Sequence, residues 1–359
     1  RLGRCEKHGC SLFWLTRRNC IMISKRYLGN IITDTPTEPT ENFQDSAASG
    51  VWSLAEAERY TAAGVWPTQG NVNPVAFVVT GRDSGSTRIR DVDRFNITTL
   101  GNASYDGEVG GSEYNSAACS DAVKAFVAGG TSGNYIVTKN YASGSTSADF
   151  GDLTVARNEL GGYSNSTRGI FGGAAGGFYG IGTIDYITMA SASNAIDFGD
   201  FSAANRNQQC EAGGSTTRAI YAGFESDKKK SDYITPSTTG NGTNYGDLTY
   251  DHNNAFVASN LTRLIVAASY TGGDRIEYNT ISSTGSFSDF GTCTNGGWGA
   301  AVANSTRCVF AGGNQSGTAK NTIEYITIAS TGNTTDFGDL VAIKRACNGA
   351  APSTPSVTG

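Results

Sequence analysis

Short apolar runs separated by stretches rich in Gly, Asn, Ser and Thr fill most of this chain, and they recur in a fixed order. The clearest unit reads Thr306-Arg307-Cys308-Val309-Phe310-Ala311-Gly312-Gly313, then Thr322-Ile323-Glu324-Tyr325-Ile326-Thr327-Ile328, then a phrase around Phe337, then a run from Leu340. The first piece is apolar throughout, as a strand buried on both faces must be. The second alternates, as a strand nearer the solvent does. Equivalents of the first piece lie at 75–81, 125–130, 168–173, 218–223 and 263–268, which with 307–313 makes six. Between them recurs an acid/amide-aromatic-Gly phrase, read as a tight turn: Asp149-Phe150-Gly151-Asp152, Asp197-Phe198-Gly199-Asp200, Asn244-Tyr245-Gly246-Asp247, Asp289-Phe290-Gly291 and Asp336-Phe337-Gly338-Asp339. Its glycines are 48, 47, 45 and 47 residues apart, and Gly107-Glu108-Val109 is a worn sixth copy. Such a period, with no helical pattern inside it, predicts radially repeated four-stranded sheets. The run at 341–350 has the character of the strand that precedes each Gly-rich strand, so it is expected to join the first unit and close the ring.

Upstream of residue 74 the pattern changes. Residues 1–21 are basic and Cys-rich, unlike everything that follows, and translation is expected to start at Met22, making the earlier residues a non-native extension. Residues 33–40 alternate Thr, Pro and acid without an apolar face, and 22–50 read as an extended linker. Within 51–70, Ser53 and Glu56 form a capping box, Gly64 supplies a left-handed stop and Pro67 blocks continuation. This predicts a helix over 54–63, flanked by Trp52 and Trp66.

The repeat resembles the kelch family, whose unit carries an apolar strand ending in Gly-Gly, a strand Tyr and an aromatic residue about a dozen positions later. Gly172-Gly173, Tyr186 and Phe198 fit, as do Gly312-Gly313, Tyr325 and Phe337. Phe or Tyr replaces the usual Trp, Gly223 lacks its partner, Ala267-Ala268 replaces the doublet and Phe95 replaces the strand Tyr. The resemblance covers 74–351 and implies an all-β, six-bladed kelch-like β-propeller with four-stranded antiparallel blades, preceded by the short helical module. The Trp-framed stretch at 48–67 resembles a module of tail-fibre and other virion proteins of tailed, especially marine, bacteriophages. That second resemblance implies a virion-associated binding protein, assembled in the host cytoplasm alongside other virion proteins.

Composition narrows the chemistry. Of 359 residues 47 are Gly, and the formal net charge of −5 argues against a nucleic-acid partner. The absence of a long apolar run argues against membrane insertion. The eight cysteines form no disulfide framework; Cys119, Cys210 and Cys347 fall at comparable places and read as buried free thiols. Cys5, His8, Cys10 and Cys20 match no zinc spacing, so no metal or cofactor is expected. His8 and His252 are the only histidines, which leaves no His-based triad or His-rich metal site. Acid pairs such as Asp227/Asp232 or Asp274/Glu277 would be needed for a glycosidase, but acids are common in loops, and a non-enzyme is expected.

Repetition and variation then separate frame from function. The Thr-Arg pairs at Arg168, Arg218, Arg263 and Arg307 are expected to fix blade to blade by pairing with acids such as Asp152, Asp200, Asp247 or Asp339. The strand tyrosines and the phrase aromatics are expected to pack between blades, and the phrase glycines to serve positive φ or close backbone approach. Asn-X-Ser/Thr triplets such as those at Asn96, Asn102, Asn165, Asn241, Asn260, Asn304 and Asn333 read as turn chemistry. What varies is the segment after each Gly-rich strand: 174–182, 225–231, 270–273 and 314–321. Candidate ligand-binding residues there are Phe178, Tyr179 and Tyr270 for stacking on sugars, Lys228, Lys229 and Lys230 for acidic groups, and Asp274 and Gln315 as polar contacts. The expected function is recognition of a host-surface glycan or protein. The alternative is an intracellular kelch-like scaffold that joins proteins.

Overall fold

A computed structural model describes residues 74–111, 114–131, 133–173, 182–203, 210–271 and 273–352. The expectations for residues 1–21, 22–50 and the helix at 54–63 lie outside the described residues. Six antiparallel sheets follow one another along the chain. Blade two consists of β4 (Ala117–Ser120), β5 (Lys124–Ala128), β6 (Tyr135–Asn140) and β7 (Ser147–Asp152). Blade three consists of β8 (Leu160–Ser164), β9 (Arg168–Gly173), β10 (Thr183–Thr188) and β11 (Ile196–Asp200). Blade four consists of β12 (Glu211–Ser215), β13 (Arg218–Ala222), β14 (Lys230–Ile234) and β15 (Thr243–Asp247). Blade five consists of β16 (Phe256–Ser259), β17 (Arg263–Ser269), β18 (Gly273–Thr280) and β19 (Ser288–Thr292). Blade six consists of β20 (Ala300–Ala303), β21 (Arg307–Ala311), β23 (Thr318–Thr327) and β24 (Thr335–Lys344), with the two-residue β22 (Asn314–Gln315) folded onto β23.

Blade one is assembled from both ends of the described chain. β1 (Val75–Val79), β2 (Asp91–Asn96) and β3 (Ser104–Glu108) gain their innermost strand from β25 (Asn348–Ala350), with Phe77 opposite Ala350 and Val79 opposite Asn348. The inner strands β25, β4, β8, β12, β16 and β20 are each neighbour to the next, and β20 lies beside β25, so the ring is closed. The run expected as one strand at 341–350 is divided: Leu340–Lys344 prolongs the outer strand β24, and closure begins only at Asn348. Ala346 at φ 55° makes the break between them.

The core is six seams, one between each pair of blades, and the pleat explains why the second strand of every blade is apolar throughout. On β1, Ala76 and Val78 pack with blade six while Val75, Phe77 and Val79 pack with blade two. On β17, Ile265 and Ala267 face blade six while Leu264 and Val266 face blade four. A strand sandwiched between two neighbours has no solvent side on which to place polar residues.

The recurring aromatic-Gly phrase is not a turn. It is the middle of the outermost strand, where a β-bulge leaves one residue unpaired. Ile184 opposes Gly199 and Asp185 opposes Asp197, which makes Phe198 the extra residue; Phe150, Tyr245, Phe290 and Phe337 occupy the same place in their blades. The bulge re-aims the aromatic ring into a seam, and all five rings are buried. The glycine after it lets the next blade's hairpin approach: a Cβ on Gly199 would stand 2.6 Å from Gly240 O, and Gly240 N donates to Phe198 O at 2.8 Å.

Two side-chain devices repeat around the periphery. In five blades an acid of the third strand accepts hydrogen bonds from the preceding blade: Asp185 from Thr154, Asp232 from Ser202, Glu277 from Thr249, Glu324 from Thr294, and Asp93 from Val341 N. Two of these acids also hold buried cations, with Arg157 2.7 Å from Asp185 and Lys344 3.0 Å from Asp93. The Thr-Arg arginines do join blades, but through carbonyls and not through the acids expected from the sequence. Arg168 Nη1 donates to Pro236 O, Arg218 to Ile281 O, Arg263 to Ile328 O and Arg307 to Thr98 O, each one blade onward. Each guanidinium lies 4.4 to 4.8 Å over its own blade's tyrosine, Tyr186, Tyr233, Tyr278 or Tyr325. The carboxylates Asp152 and Asp200 contribute instead their backbone N–H groups, which donate to Asn194 and Asn241.

The Asn-X-Ser/Thr triplets are consumed by the same architecture. Asn165, Asn260 and Asn304 accept from the backbone two and three residues on, closing Asx turns, and Asn96 does so two residues on. Asn102, Asn241 and Asn333 accept from the outer strand of the preceding blade. The five described cysteines are free and buried, and burial pushes the Cys347 thiol up to about 12.

Candidate functional site

In each antiparallel blade, the loop between the second and third strands and the loop leading to the next blade open on the same end. One face of the ring therefore collects two sets of loops, and the other face carries the short Asx hairpins. On the loop-rich face, five of the six inner strands are entered, among the described residues, through a residue in left-handed backbone conformation: Asn115 (φ 61°), Glu159 (61°), Asn254 (49°), Trp298 (71°) and Ala346 (55°). Non-glycine residues there cost about 1–3 kcal/mol each, and an inter-blade belt compensates. Glu159 N donates to Asn115 O at 2.7 Å, Asn115 N to Ala346 O at 3.0 Å, Ala346 N to Trp298 O at 2.6 Å and Trp298 N to Asn254 O at 2.5 Å. The belt frames the mouth of the axial channel.

Above it lies an open depression of about 530 Å³. Its walls include Arg82, Tyr114, Glu159, Glu225, Lys228, Tyr270 and Trp298. The half-buried Trp298 is the hub. Its indole Nε1 donates to Asn115 Oδ1 at 3.1 Å, and its ring meets Tyr270 edge to face at 5.0 Å. The Arg82 guanidinium lies 4.4 Å over Trp298 and 4.8 Å over Tyr114. Arg345 approaches the indole at 5.5 Å but is held by Asn314 Oδ1 at 3.0 Å. Burial, and after it the charge of Arg345, lowers the Arg82 pKa from its ordinary value, while Glu159 opposes the shift.

Beneath the mouth the channel narrows and is lined by inner-strand backbone. Ser120, Ser164 and Ser259 turn their hydroxyls to neighbouring inner strands, for example Ser164 Oγ to Ser120 O at 2.7 Å and Ser259 Oγ to Gly214 O at 2.8 Å. Glu211 faces this channel, and burial raises its carboxyl well above the ordinary range.

The residues expected from sequence to bind ligand are placed as follows. Tyr270 and Lys228 line the depression. Lys229 Nζ donates to Thr249 O at 3.0 Å and lies 3.7 Å from Asp251. Lys230 pairs with Asp247 at 2.7 Å across its own blade. Exposed Asp274 lies 3.9 Å from Arg275, and Gln315 is exposed on the β22 hairpin; neither lines the depression. Phe178 and Tyr179 lie outside the described residues. Sequence reasoning passed over Arg82, Tyr114, Asn115, Glu159 and Trp298. Arg82 follows the first Gly-rich strand, in a loop outside the four variable segments, whereas Tyr114, Asn115, Glu159 and Trp298 lie in the loops joining blades, which share the same face. His252 is no catalytic base at this site: it is buried, with Nδ1 2.7 Å from Ala268 O and Nε2 3.0 Å from Glu277.

No protein-family model matches this chain, and no curated protein matches it. Among solved structures, that of YjhT is similar with a TM-score of 0.56 and 10% identity, covering 67% of this chain and 88% of YjhT. At that identity the likeness concerns the fold alone, and the class it shares with the sheets described above is the six-bladed β-propeller with four-stranded antiparallel blades.

Proposed function

We propose that this chain is a non-enzymatic binding protein of a tailed-phage virion, a kelch-like propeller whose loop-rich face recognises a host-surface glycan or protein. The observation that carries the reading is the mouth belt. One backbone position repeats in five of the six blades, yet four of its occupants present Asn, Glu, Asn and Trp side chains to a single depression. A position that repeats in conformation and varies in chemistry suits recognition better than framework. Aromatic faces beside amide and carboxylate acceptors suit a saccharide, whose rings offer apolar C–H faces and whose hydroxyls donate. Attachment to the virion rests on the resemblance of residues 48–67 to tail-fibre modules.

The test is capture of purified full chain on bacterial cells, on the same cells stripped of surface polysaccharide, and on immobilised glycans. Capture that disappears on stripping and with Trp298→Ala supports the reading. Undiminished capture of a cytosolic protein, with no cell binding, favours the scaffold alternative. Immunogold labelling of purified particles tests the virion assignment.

A further inference from the structure

We infer that the Arg82 end of the depression is a subsite for the carboxylate of an acidic sugar, a hexuronide being the simplest ligand of that class. This rests on the glycan reading above and specifies it.

The argument begins with an arginine that has nothing to hold. Arg94, Arg157, Arg168, Arg218, Arg263, Arg307 and Arg345 each donate from the guanidinium to a carboxylate, an amide or a backbone carbonyl. Arg82 makes no such bond among the described residues, and its Nε is buried without an acceptor. The chain nevertheless fixes this side chain. Rings stand over it from Tyr114 and Trp298, and its backbone is clamped to Arg345 by two hydrogen bonds of 2.9 Å. A stacked guanidinium keeps its planar fork free, which is the geometry that takes a carboxylate through two parallel hydrogen bonds. Burial already penalises the charge, so an anion arriving there is favoured doubly, by attraction and by supplying the missing acceptor.

Charge around the rest of the depression selects among anions. Lys228 lines it with no side-chain acceptor among the described residues, while Glu159 and Glu225 line it as well. A nucleic acid or a heavily sulfated chain would set negative charge against both glutamates. A ligand with one carboxylate on a ring of hydroxyls would not. Its carboxylate meets Arg82, and its hydroxyls donate to acceptors such as Glu225 and Asn254. The Tyr270–Trp298 pair, 5.0 Å apart, offers the apolar surface against which a sugar ring packs.

Calorimetric titration of the full chain with an oligo-hexuronide, with the same oligosaccharide reduced at its carboxyls, and with polyglutamate decides the matter. The expected result is binding of the hexuronide, at least tenfold weaker binding of the reduced form, and a loss of about tenfold for the hexuronide alone in Arg82→Lys, which keeps the charge and removes the fork. Equal binding of the native and reduced oligosaccharides, or unchanged hexuronide binding in Arg82→Lys, would overturn the carboxylate subsite and leave the glycan reading standing. Absence of any saccharide binding would remove both. Tighter binding of polyglutamate than of hexuronide would replace the sugar with an acidic protein segment. An unaltered melting temperature of Arg82→Lys shows that any loss arises at the subsite.

Discussion

At the rim of the propeller, four blades lay an arginine over a tyrosine and aim it at the next blade's carbonyl. At the mouth of the channel, five of the six blades share, among the described residues, a left-handed residue and a hydrogen-bonded belt, yet fill the position with four kinds of side chain. Both regions solve the same problem, joining one sheet to the next. The rim solves it with side chains, so its side chains must repeat. The mouth solves it with backbone, which leaves its side chains free to differ. Recognition is therefore expected where the joint is made of main chain.

That contrast is breakable by substitution. The largest loss should follow Asp185→Ala, which strands Arg157 in a seam where its side chain is 1% exposed. Removing one partner of such a buried pair costs about 3–5 kcal/mol, readable as a fall in the denaturant midpoint. A pH effect should come next. Burial pushes the Glu277 carboxyl up, but hydrogen bonds from His252, Tyr250 and Thr249 outweigh it and hold the pKa below the ordinary 4.5. A carboxyl depressed in the folded state stabilises above its unfolded value and stops doing so as pH falls through the folded one. Thermal midpoints should accordingly drop below pH 4.5, and Glu277→Gln should flatten that part of the profile. Arg263→Met removes a stacked cation and its bonds to Ile328 and Ala329, and should cost about 1–2 kcal/mol. A double-mutant cycle with Tyr278→Leu isolates the stacking contribution. Trp298→Ala should cost least, about 1 kcal/mol because the side chain is only half-buried, and yet abolish glycan capture. A large stability loss there would erase the distinction between rim and mouth.

Much of the frame was legible because each blade must hide two faces. That requirement writes uninterrupted apolar runs such as Phe77-Val78-Val79 and Leu264-Ile265-Val266 into the chain, and the spacing of their copies gives the blade count. The phrase around Phe198-Gly199 was located correctly and assigned the wrong element. Gly flanked by acids signals a turn locally, and only the pairing of Ile184 with Gly199 and Asp185 with Asp197 exposes a bulge. The arginine partners were illegible for a similar reason. A carbonyl acceptor leaves no mark in the sequence, whereas acids are conspicuous and here serve Thr154, Ser202 and Thr294. Trp298 and Arg82 are 216 positions apart, and nothing short of the ring's curvature brings them into contact.

The strand that completes blade one has a kinetic consequence. Asn348–Ala350 is among the last described segments to be synthesised, and Phe77, its partner, is among the first. Until the final strand arrives, a nascent chain carries five finished sheets and one unfinished, with the edge of β1 bare and adhesive. Ring completion spans more than 270 residues of intervening polymer, a loop whose entropy penalises early attempts and places the step late in folding. Clipping the last described strand should thus yield aggregates at the ribosome exit far more readily than a slightly weakened propeller.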